Sequence, residues 1–263
     1  MKLFRYDKIL FEKQSGEQLV QVVQRDDRRE LRFGNHITQS ATSLENPDFL
    51  QLDYTRAMMA AFLFAPKPTR ILHIGLGAGS VPRFIHRHFP EVKQQTVEFN
   101  PVVIEAAYRY FDLPISPRLE VIEDEGERFL SACQENYHMI FLDAFLADGV
   151  PNNLKTVSFF ETARGRLERD GWIINNVWGS DKENLNLVKN NLAAVFGQLY
   201  SLSVRADSNV IVFAGNTHTA PSMAAVKIWA ERFSRTMPID LMDMVEKLTR
   251  VRVPQASTAR VTG

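Results

Sequence analysis

The chain has 263 residues, 45 % of them hydrophobic, and its 31 Lys plus Arg balance 31 Asp plus Glu to a formal charge of zero. That length and apolar content suit one large α/β domain with a small accessory piece, while zero net charge offers no global field for nucleic acid or an anionic membrane, so neither partner is expected. The single cysteine, Cys133, excludes an internal disulfide framework and cysteine-rich metal sites, suits a reducing cytoplasm, and reads as a small helix-face residue.

The opening MKLFRYDKILFEKQ alternates charged and apolar residues and lacks the apolar core of an export signal. From Leu3 to about Ser43, short alternating runs such as LVQVVQ at 19 to 24 and RELRFG at 29 to 34 are separated by polar turns. They predict a small antiparallel β-unit, assigned to residues 1–49. After Pro47, Leu50, Tyr54, Met58 and Phe62 recur at helical spacing and stop at Pro66 and Pro68, so a helix leads into the main domain. The most apolar stretch, 57 to 66, is far shorter than the roughly 20 residues that cross a bilayer, and the protein is expected to be soluble and cytoplasmic.

From Arg70 onward, apolar strands alternate with amphipathic segments, the order that builds a parallel sheet covered by helices on both faces. Strands are predicted at 70 to 75, 93 to 98, 119 to 122, 138 to 143 and 171 to 176. Helices are predicted at 80 to 89, 101 to 111, 126 to 134, 157 to 167 and 182 to 196. LYSLSVRADSNVIVFAG then reads as a hairpin turning at Asp207 to Asn209, and 222 to 234 and 239 to 249 read as helices. The main domain is placed at 50–253, with a small, polar, flexible tail at 254–263. The fold class is therefore α/β: a Rossmann-like, mostly parallel sheet with a terminal antiparallel hairpin, joined to a small N-terminal antiparallel β-unit. By analogy, a sheet ending in such a hairpin is the methyltransferase-type arrangement that binds S-adenosylmethionine, not the arrangement of dinucleotide dehydrogenases.

ILHIGLGAGSVPRF puts Gly75, Gly77 and Gly79 between a strand and a helix, where glycine permits a tight turn and close approach of a ligand to the backbone. Glu98 closes the next strand, 23 positions after Gly75, near the spacing of an acid that grips ribose hydroxyls; the plainer reading is a helix cap. In VIEDEGERFL, Asp124 or Glu125 ends the following strand and faces the same crevice, unless the pair is only a solvated turn. MIFLDAF ends an apolar strand in Asp143, and an ionisable group at the tip of a buried strand is costly unless paired or used, which makes it the catalytic candidate. Asp148 reads as a loop residue. Histidines 36, 73, 86, 88, 138 and 218 show no ligand spacing, no metal is expected, and His73 reads as a satisfied core residue.

In order, ILFEKQSGEQ, ITQS at 37 to 40, LDYTR, GLGAG, VEFNPVVIEAAYRYF, the acidic DEG turn, LDAF and the terminal hairpin resemble the polyamine aminopropyltransferases, the spermidine synthase family, over roughly 10 to 215. The resemblance implies a glycine loop and Glu98 that hold the nucleoside, Glu125 near adenine, and Asp143 accepting a proton from an attacking amine. Gln39 and Tyr54 become candidate substrate-pocket residues, each reading equally well as structural, and a homodimer is implied. The chain departs from the family pattern at Ala78, where the family carries an Asp, and at Phe145 and Leu146, where a second acid is usual. Arg56 stands where it would repel a polyamine, and NNVWGS lacks the usual Gln and Glu, leaving Trp178 either to line an altered pocket or to pack.

Three readings follow. The first is a spermidine synthase-like enzyme of polyamine biosynthesis that uses decarboxylated S-adenosylmethionine, with a small-molecule amine or other small nucleophile as acceptor. The second is a methyltransferase using intact S-adenosylmethionine: Ala78 leaves room for its carboxylate and Arg83 is near enough to neutralise it, although a helix-surface place is the simpler reading for that arginine. The third is a nucleoside-binding protein without catalysis.

Overall fold

Alternating apolar residues near the N-terminus have a layer to cover. A computed structural model describes residues 7–34, 37–145, 149–205, 209–217, 219 and 221–252. The expectations for His36, Leu146, Asp148, His218, most of the hairpin turn and the tail from 254 fall outside those residues. Four antiparallel strands, β1 (Lys8–Ser15), β2 (Gln18–Arg25), β3 (Arg28–Phe33) and β4 (Ile37–Ser43), pair in sequence order. Val20, Val22, Leu31 and Phe33 alternate onto one face and bury themselves against Val102, Val103, Ala106 and Phe111 of the main domain.

The segment after Pro47 forms α1 (Asp53–Met58) and tightens into a 3₁₀ turn over Met59–Leu63. The tightening has a local cause: the amide of Phe64 bonds the carbonyl of Ala61, three residues back, and MAAFL is buried on every side, so no solvated face keeps an α-helical stripe.

The main domain then alternates as expected: β5 (Arg70–Ile74), α2 (Ser80–His88), β6 (Lys93–Glu98), α3 (Pro101–Tyr110), β7 (Leu119–Glu123), α4 (Gly126–Ala132) and β8 (Tyr137–Leu142). A short 3₁₀ turn at Asn152–Lys155 precedes α5 (Val157–Gly165), β9 (Leu167–Trp178), α6 (Lys182–Val195), β10 (Gln198–Val204) and β11 (Asn209–Gly215). The chain continues through α7 (Met223–Ser234), α8 (Leu241–Lys247) and a two-residue β12 (Thr249–Arg250). The helix expected over 239 to 249 is thus shorter. Leu248 turns to an extended conformation, and Thr249 and Arg250 pair with Ser201 and Tyr200. β9 is longer than expected at both ends.

The eight strands run in the order β12-β10-β11-β9-β8-β5-β6-β7. β9, β8, β5, β6 and β7 are parallel, and β11 joins β9 antiparallel. Met139, Phe141, Trp172, Ile174, Ile211 and Phe213 face one layer, while Leu72, Ile74, Ile140, Leu142, Ile173 and Val212 face the other. Burial on both faces explains why these strands read as continuous apolar runs. Sequential progress across the sheet reverses at β5, which pairs with both β6 and β8. Ligands of open α/β sheets settle at the carboxyl ends beside such a reversal. Among the described residues no helix is long and apolar enough to cross a membrane.

Candidate active site

The loop that leaves β5 at the reversal is shaped by glycine. Gly75 has φ +97°, and a Cβ there would collide with the backbone carbonyl of Asp143, so only glycine lets the ends of β5 and β8 lie this close. Gly77 has φ +55°, and its missing Cβ would stand 2.6 Å from Ser40 Oγ of β4. Both glycines line a cavity of about 280 Å³. Gly79, the residue before α2, is not part of that lining and packs toward Leu113 instead.

Glu98, at the end of β6, lines the same cavity while only 7 % exposed. Its Oε2 accepts from the backbone amide of Leu76 at 3.0 Å and its Oε1 from that of Asn100 at 3.0 Å. The carboxylate thus ties the glycine loop to the start of α3. The actual cap of α3 is Asn100, whose side chain accepts from the Val102 amide at 3.0 Å. Burial pushes the Glu98 carboxyl above the ordinary range, against the opposing pull of the amides of Asn100, Leu76, Gly77 and Phe99.

Asp124 and Glu125 follow β7 and also line the cavity. Asp124 Oδ1 accepts from the amide of Glu125 at 2.6 Å and pairs with Arg128 on the first turn of α4. Asp143 reaches the cavity from the end of β8. Its Oδ1 accepts from Asn176 Nδ2 at 2.8 Å, and Tyr54 supplies a further hydrogen bond. Burial raises its carboxyl to about 6, with Asn176 and Tyr54 pulling the other way.

Gln39 and Tyr54 close the cavity from the N-terminal side. The Tyr54 hydroxyl lies 3.2 Å from the Gln39 carbonyl, while the side-chain amide nitrogen of Gln39 is buried at the wall with no hydrogen-bond partner. The structure therefore gathers Gly75, Gly77, Glu98, Asp124, Glu125, Asp143, Gln39 and Tyr54 around one space.

Three expectations about neighbouring residues are corrected. Arg56 does not face the cavity: it pairs with Asp53, donates to the carbonyls of Leu50 and Gln51, and lies 5.2 Å from the Phe49 ring centroid. Its place one turn after Asp53 on a short helix directs it backward. Arg83 is buried rather than on the helix surface, and it does not line the cavity. At 8 % exposure it donates to the Phe111 carbonyl, to Thr42 Oγ1 at 2.8 Å and to the Pro47 carbonyl at 2.7 Å. Ala78 opens no room for a carboxylate, because it is fully buried in the cluster formed by the N-terminal sheet and α3.

Trp178 stacks on Phe145 at 5.4 Å, and Phe145 rather than Trp178 lines the cavity. His73 is 2 % exposed and bonds Gln94 at 2.9 Å, a satisfied core position. Cys133 sits just past α4, with its Sγ 3.2 Å from the Tyr137 hydroxyl.

Several lining residues are not among the site candidates of the sequence: Phe33, Ser40, Phe99, Pro151, Asn153 and Leu154. Asn176 was passed over as well, although it lies in the NNVWGS run at the end of a strand neighbouring Asp143. Four carboxyl groups, Glu98, Asp124, Glu125 and Asp143, stand in the described lining, and no Lys, Arg or His is among it. Such a wall favours a cationic ligand.

The family model described as spermine/spermidine synthase domain matches residues 52–211. The chain is 30 % identical over 237 residues to a polyamine aminopropyltransferase of Neisseria meningitidis serogroup A, covering 89 % of this chain and 90 % of that one. Among solved structures it superposes on a probable spermidine synthase from Corynebacterium glutamicum with a TM-score of 0.72 at 20 % identity, over 85 % of this chain and 87 % of the other. It also superposes on human methyltransferase-like protein 13 in complex with SAH with a TM-score of 0.65 at 23 % identity, over 80 % and 98 % of the two chains.

Proposed function

Because this chain belongs to the spermine/spermidine synthase family, we propose that it moves an aminopropyl group from decarboxylated S-adenosylmethionine to a small amine, with Asp143 as proton acceptor. The observation that carries this reading is the position of Asp143. It is a partly buried carboxyl at a strand tip, facing the space that also holds the glycine loop and Glu98.

In the reaction the free amine nitrogen attacks the aminopropyl carbon bound to the sulfonium. A C–N bond forms, the C–S bond breaks, and its electron pair neutralises sulfur to a thioether. The nitrogen sheds one proton. An alkylammonium has no lone pair to attack with, so a carboxylate hydrogen-bonded to the amine both aims it and takes that proton. A carboxyl raised to about 6 is still ionised at neutral pH and is a stronger acceptor than an ordinary aspartate. Glu98 would accept from the ribose hydroxyls beside the backbone amides that orient it, and Asp124 and Glu125 would edge the base. Gln39, with its unpartnered amide nitrogen, and Tyr54 would border the acceptor.

The donor assignment is supported by charge. The decarboxylated nucleoside carries a sulfonium and an ammonium into a lining of four carboxyl groups. The intact nucleoside would bring a carboxylate that meets no described lining cation. A methyltransferase is the second reading, favoured by the SAH-bound structural neighbour and by Phe145, which stands where a further acid would hold the far end of a diamine. The test is direct. Calorimetry with each nucleoside shows which one binds, and incubation with putrescine followed by mass analysis shows an aminopropyl product or none. Binding and stabilisation by the intact nucleoside alone would replace the first reading with the second.

A further inference from the structure

Asp143 belongs to a line of three side chains that crosses three neighbouring strands. Asn176 Nδ2 of β9 donates to Asp143 Oδ1 at 2.8 Å, and Asn209 Nδ2 of β11 donates to Asn176 Oδ1 at 2.8 Å. Asn176 pairs across the sheet with Ile211 and Asn209 with Trp178, so the two asparagines are diagonal neighbours on one face. Asn176 is 2 % exposed and Asn209 7 %, so bulk water is shut out of this link.

A primary amide has a donor end and an acceptor end, and the torsion that turns it is broad and nearly two-fold. Beside a carboxylate the two orientations are opposite in effect: one places N–H on oxygen, the other sets oxygen against oxygen. The backbone of β9 does not choose between them. A donor on the far side does, because Asn209 Nδ2 then meets Asn176 Oδ1.

We propose that Asn209 is a positioning residue: by donating to Asn176 it holds that amide with Nδ2 on Asp143, so the carboxylate is oriented with its remaining lone pairs toward the acceptor amine. The proposal rests on the reading of Asp143 as proton acceptor. The groups facing Asp143 from other elements are the Tyr54 hydroxyl of α1 and His73 of β5, which share a second cavity of about 20 Å³ with it. Glu98, Asp124 and Glu125 stand on the walls of the larger cavity. Burial keeps His73 neutral down to about 4, so it carries no charge where Asp143 titrates.

The experiment replaces Asn209 in the full chain with Leu, of similar size and no donor, and separately with Ser, too short to reach Asn176. Asp143 ionisation is followed without substrate by the carbon-13 signal of its carboxyl in aspartate-labelled protein, assigned with Asp143→Asn. With the donor gone, Asn176 is free to turn its oxygen toward Asp143. The midpoint is then expected to rise by about half a pH unit or more in both variants, with nucleoside affinity unchanged and turnover lowered severalfold. A midpoint that stays put in either folded variant overturns the proposal, since a side chain that merely fills the hairpin would lower the melting temperature and leave the titration alone. Failure of the functional reading looks different: the unsubstituted protein would make no aminopropyl product, while the midpoint would still move.

Discussion

The backbone amide of Leu76 donates to Glu98 Oε2 at 3.0 Å, so the acid that closes one strand holds the loop that leaves the next. The carboxylate is set in place before any ligand arrives, both of its oxygens accepting from backbone N–H groups.

Glu98→Ala removes both acceptor oxygens and strands backbone amides, those of Leu76 and Asn100 among them. Nucleoside affinity should fall at least about tenfold, in line with roughly 1.5–3 kcal/mol for a hydrogen bond to a charged group, and the melting temperature should fall with it. Calorimetry and thermal unfolding read the two effects. Full affinity in this variant would rule out a ribose role for the glutamate.

Asp143→Asn should leave nucleoside affinity within about twofold and lower kcat by roughly 10²–10⁴, the usual range for loss of a positioned acid or base. Turnover close to that of the unsubstituted enzyme would eliminate the proton-acceptor role. In the unsubstituted enzyme kcat/KM should decline below the Asp143 midpoint of about 6, because the protonated carboxyl accepts nothing.

The same carboxyl bears on stability, with a definite sign. Its folded-state value of about 6 lies above the ordinary 3.8, so the folded protein binds the proton more tightly than the unfolded chain does. Stability therefore declines as pH rises from about 4 to 6, and the ionised group then carries a constant cost of roughly 2–3 kcal/mol. Asp143→Asn escapes that cost. It should melt higher than the unsubstituted protein at pH 8 and lose this advantage at pH 4; a lower melting temperature at pH 8 would contradict the ionisation argument.

Gly75→Ala should cost about 1–3 kcal/mol for the backbone conformation alone, and more because the new Cβ meets the Asp143 carbonyl. Urea unfolding should show the loss, with weaker nucleoside binding beside it. An alanine tolerated without change would mean that the ends of β5 and β8 are not held at this separation.

Most of the fold was legible because its signals are local. An apolar run ending in Asp143, a strand closed by Glu98, and glycines following a strand announce a parallel sheet and place its working edge within a residue or two. What escaped is the far end of long or partnered side chains. Nothing near Arg83 in the sequence says that it reaches Thr42 and Pro47, and nothing near Arg56 says that it folds back on Leu50 and Gln51. Asn176 and Asn209 were invisible for a related reason. They are 33 positions apart, and their link exists only once β11 has paired antiparallel with β9. The two-residue β12 was hidden by a helical pattern that runs on to the point where Leu248 turns extended.

Arg83 ties together two parts of the fold that both contribute to the cavity wall. By gripping Thr42, Pro47 and the Phe111 carbonyl together, it staples the N-terminal sheet to the framework that carries the glycine loop. That flap has no freedom to swing outward unless several buried polar groups lose their partners at once, a penalty far above thermal energy. Elsewhere the cavity wall is open to water: Phe99 is 51 % exposed and Glu125 stands in solvent. A rearrangement that reshapes the cavity therefore costs more at this sheet than at those exposed residues.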